Sequence, residues 1–195
     1  MAHATAARQP KSRRREPLKI VVSGPFAAGK TTLIETISDV TVLGTEKRVT
    51  DSSSAIKDRT TVGLDYGRIA LGDNLALALF GTPGQRRFDM MWEILSQGML
   101  GFIVLVNAQD PRSAIEAIHI LDAFHGYADV PYLIGVTHLD GTEEQAEAAL
   151  SRVRRAMDLP SEIPVLACDP RNRADVKKLL LEILQGVMAR LDAAS

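Results

Sequence analysis

Apolar residues in this chain gather in short, nearly unbroken runs, with helically spaced stretches between them. The runs occupy residues 18–23, 75–80, 101–106, 132–136 and 163–167. Each is rich in branched side chains and apolar on both faces of the pleat, as parallel strands covered on both sides are. Helix starts are marked between them. Asp110 precedes Pro111, a capping acid before a proline at the first helical position. Thr142 and Gln145 have the spacing of a capping box, and apolar residues then recur at Ala146, Ala149, Leu150, Val153 and Met157. A last helix is expected from Val176, Leu180, Ile183, Val187 and Leu191. Strands alternating with helices predict an α/β three-layer sandwich on a mostly parallel sheet.

Two stretches break the pattern. Residues 1–17 lack apolar periodicity and carry Arg8, Lys11, Arg13, Arg14 and Arg15, which predicts a disordered basic tail. Such a tail is either a solvated leader or a weak contact for an anionic membrane face or an acidic partner. Residues 40–61 hold Gly44, Asp51, Ser52, Ser53, Ser54 and Asp58 with little apolar pattern. Loops of this length in compact domains are usually functional.

The strongest chemical signal is Gly24-Pro25-Phe26-Ala27-Ala28-Gly29-Lys30-Thr31, a full match to G-x-x-x-x-G-K-[ST] between a predicted strand and a predicted helix. Glycines let backbone N–H groups turn inward around phosphate oxygens, the Lys30 ammonium reaches the outer phosphates, and the Thr31 hydroxyl suits Mg²⁺. The helix continuing through Thr32 aims its N-terminus at the anion. A P-loop alone does not choose among ATPase, kinase and GTPase.

Downstream segments narrow the choice. Thr61-Val62-Gly63-Leu64-Asp65-Tyr66 ends the long loop, and Phe80-Gly81-Thr82-Pro83-Gly84-Gln85 follows a strand. Thr137-His138-Leu139-Asp140 follows a later strand, and Ala167-Cys168-Asp169 the last one. With these motifs, residues 18–191 resemble the Ras-like small GTPases, and within them the bacterial branch of MglA-type gliding-motility and actinobacterial conservon GTPases. The resemblance implies a P-loop NTPase G domain with one antiparallel edge strand near residues 62–70. It implies that Thr31 and Thr61 hold Mg²⁺ and that Thr61 and Gly84 sense the γ-phosphate. Gln85 then orients the attacking water, with Lys30 and Thr61 completing the catalytic set. As nucleotide-binding residues it implies Gly24, Ala27, Ala28, Gly29, Lys30, Thr31, Thr32 and Gly84, with Thr137, His138, Asp140, Ala167 and Cys168 from the later motifs. The Asp140 carboxylate can accept from guanine N1–H and the 2-amino group, which adenine cannot reproduce.

Departures from the family pattern matter equally. Gly81 stands where most Ras-like proteins place an aspartate that holds Mg²⁺ through water, and Asp51, Asp58 or water are the available substitutes. Thr137 and His138 replace the asparagine and lysine of the N-K-x-D motif, and the His138 ring can stack on a base or stand in solvent. Phe26 crowds a position that is often glycine, so unaided hydrolysis should be slow. Arg48 and Arg59 are either internal arginine fingers or solvated charges.

Read as a helix, residues 88–95 have two apolar faces. Phe88, Met91, Trp92 and Leu95 share one, and Met90 and Ile94 lie on another. A surface helix needs one apolar face for the core, and surplus apolar surface often marks a partner site.

The chain has 195 residues, 46 % hydrophobic and 24 % charged, with a net charge of −1. That balance offers no argument for nucleic acid as a partner. No run reaches the roughly 20 apolar residues of a membrane span. No secretory leader or lipidation motif is read, and the single cysteine, Cys168, excludes an internal disulfide framework. A cytoplasmic protein is expected, peripheral at the inner membrane if the basic tail makes contact. The expected function is a molecular switch that binds GTP or GDP with Mg²⁺ and hydrolyses GTP slowly. The resemblance adds a roadblock-domain regulator or GTPase activator that reads the switches. The alternatives are a catalytically weak nucleotide-binding scaffold, and a small-metabolite kinase, which would want an arginine-rich lid.

Overall fold

The computed structural model describes residues 16–42, 64–72, 74–83 and 89–194. Along these residues run β1 (Leu18–Ser23), α1 (Lys30–Ile37), β2 (Asp65–Leu71), β3 (Leu75–Gly81), α2 (Asp89–Ser96) and β4 (Gly101–Asn107). Then follow α3 (Pro111–Tyr127), β5 (Tyr132–Thr137), α4 (Glu143–Ala156), β6 (Val165–Ala167) and α5 (Arg173–Ala193). The strands form one six-stranded sheet in the order β2-β3-β1-β4-β5-β6. All neighbours are parallel except β2 and β3, which pair antiparallel from Leu71↔Leu75 out to Asp65↔Gly81.

The unbroken apolar runs have the physical cause that the sequence implied: both sheet faces are covered. Ile20 and Val22 of β1 join Ile103 and Leu105 of β4 in a core under α1 and α5. Their alternating neighbours Val21, Phe102, Val104 and Val106 join a second core under α2, α3 and α4. Phe102 stacks on Phe124 and Tyr132 in this second core.

The capping signals are realised in side-chain contacts. Asp110 accepts from Arg112 N–H at the start of α3, and Thr142 and Gln145 form a reciprocal capping box on α4. The last strand is shorter than its apolar run, because Ile163 and Pro164 precede β6. In α5, Val176, Leu180, Ile183 and Val187 are buried as expected, but Leu191 is exposed; no residue of the helix beyond Val187 is buried. The basic tail lies outside the described residues up to position 15, as does nearly all of the long loop.

Candidate functional site

The connection from β1 runs through α1 to β2 on one side, whereas the connection from its neighbour β3 runs through α2 to β4 on the other, so the chain leaves these two strands in opposite directions. In open α/β sheets the crevice for a ligand forms at that point, beyond the strand C-termini. Here a cleft of about 1050 Å³ opens between the segments that follow β1, β3, β4, β5 and β6.

At one end lies the P-loop. Gly24 has φ 143°, and a Cβ there would stand 2.5 Å from the Leu105 carbonyl oxygen, so only glycine lets the loop leave the sheet this closely. Gly29 has φ 96° and caps α1 without a side-chain hydrogen bond. Asp110, Thr142 and Asn172 supply such bonds to α3, α4 and α5. The first N–H groups of α1, with no acid in its first turn, are thus arranged to meet an anion. Lys30 is buried, and its Nζ donates to the Gly24 and Pro25 carbonyls at 2.9 and 2.7 Å, which folds the ammonium back over the loop. Ala27, Thr31 and Thr32 line the cleft beside it, whereas Ala28 is buried behind the wall. Phe26 stands at the mouth with 72 % of its surface exposed.

Asp51 and Asp58, the acids expected to compensate for Gly81, lie outside the described residues. An acid that does stand beside Gly81 is Asp65, the first residue of β2. Antiparallel pairing sets Asp65 opposite Gly81, and its Oδ2 accepts a 2.6 Å hydrogen bond from Thr31 Oγ1. A hydroxyl that gives its proton to a carboxylate keeps its lone pairs for a cation. Thr31 and Asp65 offer the oxygen donors that Mg²⁺ takes, and would hold it there if a nucleotide brought it.

At the other end the cleft is lined by Gln109, His138, Leu139, Asp140, Ala167, Cys168 and Asp169. His138 holds φ 57°, which turns the chain so that Asp140 reaches the cleft. Thr137 does not line the cleft. It is fully buried, and its Oγ1 donates toward the Ala28 carbonyl at 3.0 Å and lies 3.3 Å from the Val106 carbonyl. Its part is to tie the base loop to the P-loop. Cys168 is buried, its N–H donates to the Val136 carbonyl, and burial, with Asp175 and Asp169 adding to it, pushes its thiol up to about 12. Asp169 is clamped by Arg171 through two 2.9 Å bonds, which hold its carboxyl below the usual range. Thr61, Gly84 and Gln85 lie outside the described residues. Sequence reasoning did not single out Asp65 or Gln109, and Thr137, which it counted among the nucleotide-binding residues, stands behind the cleft wall.

Three comparisons bear on this geometry. The uncharacterized protein MJ1339 of Methanocaldococcus jannaschii is 29 % identical over 129 residues, 65 % of this chain and 73 % of that protein. Ras-related protein Rab-27A of Rattus norvegicus is 20 % identical over 190 residues, 90 % of this chain and 80 % of that one. The profile of the family described as conserved hypothetical ATP binding protein matches residues 42–189, beginning downstream of the P-loop. That match takes in β2 through most of α5, well over half of the chain. With a P-loop ahead of that match and a mostly parallel sheet of the P-loop NTPase kind around it, the protein belongs to this family of conserved hypothetical ATP binding proteins.

Proposed function

We propose that the chain is a guanine-nucleotide switch that binds GTP or GDP with Mg²⁺ in this cleft and hydrolyses GTP slowly. The observation that carries the reading is the place of Asp140. It lines the same cleft as Lys30 and Thr31, on the segment that follows β5 and not on the P-loop. An acceptor-only group there matches the N1–H and 2-amino donors of guanine and opposes the N1 lone pair of adenine.

The chain's own residues divide the work. Lys30 and the opening N–H groups of α1 hold the phosphates, while Thr31 and Asp65 hold the cation, which neutralises phosphate charge when bound. Gln85 orients the water and Thr61 and Gly84 sense the γ-phosphate, roles that come from the Ras-like resemblance. The slow turnover is likewise taken from the resemblance, in which a bulky residue at the position of Phe26 disturbs the geometry of that water. The MglA-type and conservon branch, and with it a roadblock-domain regulator that reads the switches, enters this reading from the sequence resemblance alone.

The family's description names ATP, so an adenine-nucleotide protein is the second reading. A competition titration of GDP against ADP separates the two. Guanine should win by at least tenfold, and Asp140→Asn should weaken GDP and admit xanthosine diphosphate. Equal affinity for GDP and ADP would overturn the guanine reading and leave the adenine one.

A further inference from the structure

Asp140 is exposed at the end of its loop, and an exposed carboxylate must be ordered before it can read a base. In this chain a neighbour orders it. Gln109, just beyond β4, directs its Nε2 at Asp140 Oδ2. A carboxylate only accepts, so the amide nitrogen must be the facing atom. The loop that carries Gln109 is itself fixed. Gln109 N–H donates to Asn107 Oδ1 at 2.9 Å, Asn107 N–H donates to Ser113 Oγ at 2.9 Å, and Ala108 N–H donates to the Thr137 carbonyl at 3.0 Å. Gln109 also lines the cleft. Its single bond uses one of the roughly four acceptor positions of the carboxylate and leaves the others for a ligand.

We propose that Gln109 is a positioning residue for base recognition: it sets the rotation of the Asp140 carboxylate and so sharpens selection of guanine. The assignment rests on the guanine reading above. It makes the loop after β4 part of the specificity apparatus, although its side chain need not touch the base.

The test is a set of affinities for GDP, xanthosine diphosphate and ADP, measured by calorimetry on the full chain. The variants are Gln109→Ala and Gln109→Glu, each alone and combined with Asp140→Asn. Gln109→Ala should weaken GDP by about threefold to tenfold, the range of one hydrogen bond, and leave ADP unchanged. Gln109→Glu should be worse than Gln109→Ala although it is isosteric, because a carboxylate then faces a carboxylate. With Asp140→Asn the order should reverse for xanthosine diphosphate, since the new amide can donate to the introduced acid. A side chain that only fills space would instead be rescued by glutamate in both backgrounds. If glutamate restores GDP affinity, or if Gln109→Ala has no effect on it, the proposal is overturned while the guanine reading stands. If the unaltered chain does not prefer GDP to ADP, the guanine reading fails and this assignment falls with it. Should Asp140→Asn take no xanthine nucleotide, the order of the two single variants toward GDP still decides.

Discussion

The carboxylate of Asp65 occupies the space that a side chain at Gly81 would need. A Cβ built on Gly81 would stand 3.2 Å from Asp65 Oδ2, 3.0 Å from Asp65 Cβ and 2.9 Å from Ile34 Cδ1. One acid fits this corner, and it arrives from the neighbouring strand. Asp65→Ala should therefore weaken GTP binding in Mg²⁺ far more than GDP binding in a chelator. Gly81→Asp alone should not improve the site, and crowding against Ile34 should cost about 1–3 kcal/mol of stability. Joined with Asp65→Gly, the same substitution should recover part of the Mg²⁺ dependence. A Mg²⁺ titration of nucleotide affinity across the three variants checks the order.

How much of this was legible beforehand depends on range. The strand runs, the caps at Asp110 and Thr142 and the P-loop are local patterns, and the elements formed where those patterns lay. Asp65 was not legible because its role depends on strand pairing. A search along the chain for a substitute near the long loop stops at Asp51 and Asp58. The signal was present in the hairpin: with Leu71 opposite Leu75, counting outward sets Asp65 against Gly81. The contact of Thr137 was hidden for a similar reason. Motif position singles the residue out, but only strand geometry shows that, as the last residue of β5, its side chain points into the protein and reaches the Ala28 carbonyl.

Thr137 therefore gives a second prediction. Thr137→Val keeps the shape and removes the bond to the Ala28 carbonyl, leaving that buried acceptor to lose a partner. Stability should fall by about 1–3 kcal/mol in denaturant melts. Nucleotide affinity should fall too, because the phosphate and base ends are no longer tied together. Unchanged stability with normal affinity would show that the link is idle.

Lys30 gives a third. It is buried and is the first residue of α1, at the open N-terminus of that helix. Lys30→Ala removes a charge-assisted partner of a phosphate, worth about 1.5–3 kcal/mol, so GDP affinity should drop at least tenfold. Calorimetry that finds normal GDP binding in this variant would place the phosphates elsewhere.

Cys168 sets a limit on alkaline stability. Its thiol is raised from 9.0 to about 12 in the folded chain, first by burial and then by Asp175 and Asp169. Between those values the unfolded chain has lost the proton and the folded chain keeps it. Stability should thus fall with rising pH across this window, by about 1.4 kcal/mol per unit from this group. Cys168→Ser or Cys168→Ala should flatten the slope. The native thiol should also resist alkylation near pH 8, and rapid labelling there would contradict its burial.

The last prediction concerns Trp92 on α2. The helix buries Trp92 and Leu95 and leaves Ile94 57 % exposed, so part of the two-faced pattern is realised; Phe88 and the side chain of Met90 lie outside the described residues. Trp92 stacks on Phe124 with ring centres 6.0 Å apart, and its Nε1 is buried with no hydrogen-bond partner among the described residues. A buried donor left this way costs about 1–3 kcal/mol, which the ring's packing offsets. Trp92→Phe keeps an aromatic ring against Phe124 and deletes the unpaired donor. It should leave the melting temperature unchanged or raise it, whereas Trp92→Ala should cost about 3–5 kcal/mol. If α2 shifts between nucleotide states, the indole is the group that gains from a new partner, and its emission should differ between GDP and a non-hydrolysable GTP analogue. Ile94→Ser should leave folding and GDP affinity intact, since that side chain covers no core. A large destabilisation by Trp92→Phe would mean that the N–H has a partner after all. Identical emission in both nucleotide states would mean that α2 does not move with the phosphate.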